Sequence, residues 1–100
     1  MTWFKILLTN DQVNAGGIKE FHKKFREAFH AAGLPNEMAL FAGQPLSNGD
    51  QPFYLTPACS DLAETLISSY SGSPCEKPKK GGLEPTMVIG FNKAWDMLME

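Results

Sequence analysis

The chain has no run of the roughly 20 apolar residues that a bilayer-spanning helix needs. It has little cysteine: Cys59 and Cys75 are too few for a disulfide framework or a four-ligand zinc site. Its first residues, MTWFKILLTND, lack the charged n-region and long apolar core of a secretory leader, so a cytoplasmic location is expected. Surplus positive charge is missing as well. The formal charge is −2, from 9 basic and 11 acidic side chains, whereas nucleic-acid binders carry strongly basic footprints. Catalytic signatures are equally scarce: no Ser/His/Asp set on a defensible spacing, no paired carboxylates on one element, no phosphate loop and no HExxH helix. These absences point away from an enzyme and toward a protein that uses neither metal nor cofactor. An active site assembled from distant residues would leave no such trace.

What is present is a globular composition, 43% hydrophobic and 20% charged over 100 residues. That length makes one domain, large enough to bury about two thirds of its unfolded surface. The clearest pattern is GIKEFHKKFREAFHAA, residues 17–32. Ile18, Phe21, Phe25, Ala28, Phe29 and Ala32 recur at i, i+3, i+7, i+10, i+11 and i+14, one stripe of an amphipathic helix. Gly33 fits a left-handed cap, and Pro35 cannot continue the helix.

Around this helix the rest reads as strands and turns. Residues 2–9 (TWFKILLT) alternate as a buried strand, with Phe4, Ile6 and Leu8 toward the helix and Trp3, Lys5 and Leu7 away from it. Residues 10–17 read as a polar connection, and Gly16-Gly17 as a turn rather than an anion cradle. Residues 37–42 and 52–56 read as two strands of a hairpin around Asn48-Gly49. Thr56-Pro57 reads as the start of a second helix, with Cys59, Leu62, Ala63, Leu66, Ile67 and Tyr70 on one face. Residues 71–85 have the chemistry of a flexible linker, residues 86–91 read as a fourth strand, and residues 92–100 as a tail or short helix.

The resulting order, β-α-β-β-α-β, predicts an α+β ferredoxin-like sandwich: four antiparallel strands, the first and third central, and two helices on one face. An open α/β sheet with another strand order is the runner-up. In either case large apolar side chains, Trp3 and Leu7 among them, lie on the face without helices. Leaving four such groups in water forfeits about 6–12 kcal/mol, so a cover is expected. Nine tail residues cover only part of a four-stranded sheet, and the expectation is a homodimer through that face.

Candidate sites fall into two sets. His22 flanks the apolar stripe and would line a pocket between sheet and helices with Trp3 or Tyr54; its ordinary reading is a locally bonded flank histidine. Lys19, Lys23, Arg26 and His30 form a basic stripe on the first helix, and Lys77, Lys79 and Lys80 add charge from the linker. Together they suit an anion or an acidic protein partner, against the ordinary reading of a solvated face partly paired with Asp61 and Glu64. Cys59 reads as a buried, inert thiol and Cys75 as an exposed one. The expected function is a non-catalytic, homodimeric binding or assembly module. The alternatives are a small enzyme resembling the dimeric α+β barrel group, with its pocket near His22, and a regulatory or immunity-like partner protein using the basic helix face.

Overall fold

The computed structural model describes residues 2–33, 39–59, 63–79 and 83–88. The fold is α+β with an antiparallel sheet. Strands β1 (Trp3–Leu8), β2 (Ala39–Ala42), β3 (Gln51–Leu55), β4 (Ser73–Cys75) and β5 (Glu84–Val88) lie in the order β4-β1-β3-β2-β5. The β2–β3 hairpin pairs Leu40 with Leu55 and Ala42 with Phe53, and β3 in turn pairs Leu55 with Phe4 and Phe53 with Ile6. Paired residues share a face, so this register gathers Ile6, Leu8, Leu40, Phe53 and Leu55 on one side of the sheet.

Helix α2 (Gly17–Ala31) covers that side with Phe21, Phe25 and Phe29, all fully buried. The Phe21 ring stacks on Phe53 at 4.5 Å and lies 4.7 Å from Phe25, so the aromatic stripe is the packing surface it was expected to be. Gly33, with φ of 82°, provides the expected left-handed stop: its N–H donates to His30 O, and the Ala32 N–H to Ala28 O.

The polar connection before α2 is not a loop. Asn10–Asn14 form a short helix, α1, closed by a capping box: Gln12 N–H donates to Thr9 Oγ1, and Thr9 N–H to Gln12 Oε1. The Asp50 carboxylate accepts from the Asn10 N–H at 2.8 Å, which ties the hairpin loop to the N-terminus of α1. Asn48 folds back on Asp50, Gly49 takes φ of 91°, and Gly16 takes φ of 81° between the two helices.

Three expectations change. The second helical segment is not a regular α-helix in its described residues: Pro57–Cys59 form a 3-10 turn, and Ala63–Ile67 a π-helical turn. The Cys59 N–H donates to Thr56 O three residues back, which tightens the first turn. Cys59 and Ile67 nonetheless reach the core, with Leu66 and Tyr70 packed against it. The stretch read as a linker contributes β4, whose Ser73 and Pro74 pair with Lys5 and Phe4. The last strand therefore lies on β2, at the far edge, instead of beside β1. The edge of β1 is taken first by β4, which follows the helical segment after a tight Ser71-Gly72 turn. Positions 89–91 of the expected fourth strand and the tail 92–100 lie outside the described residues.

The helix-free face also departs from expectation. Trp3 is 5% and Phe41 0% exposed, with ring centroids 6.2 Å apart, so within the single chain these large groups are already out of water. The exposed large apolar side chains among the described residues are Leu7 at 37% and Leu46 at 45%. That is a much smaller patch than alternate strand residues suggested.

Candidate functional site

The 15 residues of α2 carry its phenylalanines inward, and the same helical period sends Lys19, Lys23 and Arg26 to one outer flank. There they line a groove of ≈ 760 Å³ with Gly16, Ile18 and His22. All three cationic side chains are exposed, and none has a carboxylate within ion-pair distance among the described residues. The ion pair on this helix is Lys24 with Glu20, at 3.3 Å. That hydrogen bond holds the Lys24 ammonium above its ordinary pKa, and the same ammonium sits 5.5 Å from the Tyr70 ring, so Lys24 is occupied elsewhere. The suggested partners Asp61 and Glu64 lie outside the described side chains.

His22 forms the inner wall of the groove. Its ring meets Phe53 edge-on at 5.6 Å and Phe21 at 6.0 Å, and its Nε2 is buried without a hydrogen-bond partner. Burial pushes the imidazole pKa below its ordinary value and the Arg26 guanidinium pushes it further, against a smaller upward pull from the Ile18 backbone hydrogen bond. The ring is therefore neutral at pH 7. The groove sets three exposed cations beside a neutral aromatic wall, which suits binding of an anionic group. Among the described residues no carboxylate, hydroxyl or thiol lines the groove beside His22 to complete an acid–base or nucleophilic pair.

The remaining candidates are dispersed. Trp3 and Tyr54 lie on the opposite face of the sheet from His22, because Tyr54 follows Phe53 in β3 and successive strand residues point to opposite sides. A single pocket with His22, Trp3 and Tyr54 is thus not formed. His30 is exposed in the last turn of α2, where a basic group favours the helix dipole, and it does not line the groove. Lys79 lines a depression on the helix-free face, away from the helix stripe, and Lys77 is exposed nearby in sequence. Lys80 lies outside the described residues.

Cys59 is buried with its Sγ 3.6 Å from Thr56 Oγ1, a structural thiol. Cys75 is half-buried rather than exposed, and burial pushes its thiol pKa up despite the nearby Lys5 charge. Among the described residues no group of three or more His, Cys, Asp and Glu side chains could hold a metal ion, and no helix is long and apolar enough to cross a membrane.

Reading the sequence overlooked Lys5, which sits with Tyr54, Lys79 and Leu46 in the depression of ≈ 570 Å³ on the helix-free face. A lysine in the middle of an otherwise apolar central strand was the available signal. No protein-family model, curated protein or solved structure matches this chain.

Proposed function

We propose that this protein is a non-catalytic binding module that uses the outer flank of α2 to hold an acidic segment of a partner protein. One observation carries the reading: Lys19, Lys23 and Arg26 converge on one groove without a carboxylate partner among the described residues, on a chain whose net charge is negative. Cations left uncompensated on an acidic protein create a local positive field that steers an oppositely charged partner and sets its register. A regulatory or immunity-like role fits this surface. We place the first four strands in the ferredoxin-like class, since their order β4-β1-β3-β2 with α2 and the broken helical segment on one side matches that arrangement, and β5 extends it at the β2 edge. The cytoplasm is the proposed compartment, and a homodimer through the helix-free face the proposed assembly. With Trp3 and Phe41 already buried, that dimer rests on a patch around Leu7 and Leu46.

An oligoglutamate peptide serves as the probe, followed by NMR on the full chain. Binding is expected to move the amides of Lys19–Arg26, to weaken as salt is raised, and to fall at least ~10-fold in a K23E/R26E variant. Unchanged affinity in that variant would refute the reading. Light scattering decides the assembly: a mass of 11.0 kDa at high concentration excludes the dimer.

The orphaned Nε2 of His22 favours a second reading, a small enzyme with its pocket at this groove. A rate for any hydrolytic or isomerase substrate that is lost in H22Q would support it.

A further inference from the structure

The geometry points to a second binding site on the helix-free face of the sheet, formed by Lys5, Tyr54, Pro52 and Lys79, for a small monoanion carried on a flat aromatic body. The site is separate from the α2 groove and does not depend on how that groove is used; it shares Leu46 with the face proposed for the dimer and is a site of the free monomer.

Lys5 is the first argument. It belongs to β1, an interior strand flanked by β3 and β4, so its half-buried side chain rises from the middle of the face and not from an edge. Among the described residues no carboxylate lies within ion-pair distance of its ammonium, which sits 5.9 Å from the centre of the Tyr54 ring, its cross-strand neighbour. A lysine held over an aromatic face, without a counter-ion, is an anchor for an incoming anion.

The floor is the second argument, because it is fixed before anything binds. The Gly43 backbone lies against the Tyr54 ring: a Cβ there would stand 3.0 Å from Tyr54 Cε2 and 3.1 Å from Pro52 Cγ. Gly43 is itself tied down, its N–H donating to Pro52 O at 3.0 Å and its carbonyl accepting from Gln51 Nε2 at 2.7 Å. A flat ring can lie on Tyr54 and Pro52 without reordering them, which removes part of the entropic cost of binding.

Charge and size then narrow the ligand. Among the described lining residues the charged groups are two lysines and Glu76, and burial pushes the Cys75 thiol up, so these groups sum to one positive charge. That balance matches a single carboxylate and disfavours phosphate or a di-acid. The depression of ≈ 570 Å³ is within the ~300–1,000 Å³ of small-molecule sites.

Indole-3-acetate is the test probe, titrated into the full chain and followed by NMR, with tryptamine and inorganic phosphate as controls. Saturable binding is expected, with shifts at Lys5, Gly43 and Tyr54, no comparable effect from either control, and at least ~10-fold weaker binding in K5M. K79M, on an exposed stretch, should weaken binding a few-fold and decides the matter if K5M does not fold. Absence of saturation by ~10 mM, shifts confined to the α2 groove, equal binding of phosphate, or full affinity in both lysine variants would each overturn the proposal.

Discussion

Under α2 the sheet presents Ile6, Leu8, Leu40, Phe53 and Leu55, all fully buried, while on its other side β1 and β3 present Lys5, Leu7 and Tyr54. The strands are shared and the alternation is strict, yet one face is an aromatic core and the other a mixed surface. The difference lies in the cover. Three phenylalanines from one regular helix fill the first face, whereas on the second Trp3, Phe41 and Pro52 are withdrawn from solvent among the described residues, and Lys5, Leu7 and Tyr54 keep part of their surface in water. The covered face holds the fold together, and the mixed face is left with polar groups that can bind.

Substitution can break this contrast most sharply at the centre of the covered face. Phe25→Ala removes a fully buried ring and should cost about 3–5 kcal/mol, against less than ~0.5 kcal/mol for Leu7→Ser at the 37% exposed position on the other side. Urea denaturation of the two variants gives both values, and equal losses would mean that the faces are not energetically distinct. Next in size is Gly72→Ala. The added methyl would collide with Ile67 Cγ2 and stand 2.9 Å from Ile6 Cγ1, between the helical segment and β1. Overpacking there should cost about 1–3 kcal/mol, read as a shift in the same unfolding midpoint. Thr9→Ala, which removes one half of the capping box on α1, should cost about 1 kcal/mol, and Thr9→Ser should restore most of it.

The smallest effect is pH-dependent and tests the edge of the covered face. His22 has a folded pKa below its ordinary 6.5. As pH falls past 6.5 the unfolded chain therefore takes up a proton that the folded chain resists, and stability is lost until the folded value is passed. The contribution is fully present above pH 7. Unfolding midpoints between pH 7.5 and 5 should fall more steeply in the parent chain than in H22Q, and parallel curves would remove His22 as the cause.

Much of the covered face was legible because its signals are local and periodic. The stripe Ile18, Phe21, Phe25 and Phe29, the Gly33 stop and the Asn48-Gly49 turn each depend on a few neighbouring residues, and all three formed as read. The sequence T-N-D-Q at positions 9–12 carries a local signal as well, a capping box, set in a segment whose polar composition resembles that of a loop. The regular second helix failed for a different reason. Its apolar spacing reports which side chains go inward, and Cys59 and Ile67 do, but inward-facing residues can be delivered by a 3-10 turn and a π turn as well as by an α-helix. Of the site residues, the clustering of Lys19, Lys23 and Arg26 was legible as helical geometry. The separation of His22 from Tyr54 followed from strand parity once Phe53 was known to face α2.

Sequence alone determined the helix, its two faces, the hairpin and the inward set of β1, since period and turn chemistry act over a few residues. Tertiary structure decided that Ser73–Cys75, three residues with no strand pattern, take the edge of β1 and send β5 to β2. An edge strand offers unpaired N–H and C=O groups to any backbone the chain path brings alongside, and side-chain order does not encode which one that is. Tertiary structure also placed Lys5 over Tyr54, because a residue's cross-strand neighbour is set by register between segments far apart in sequence.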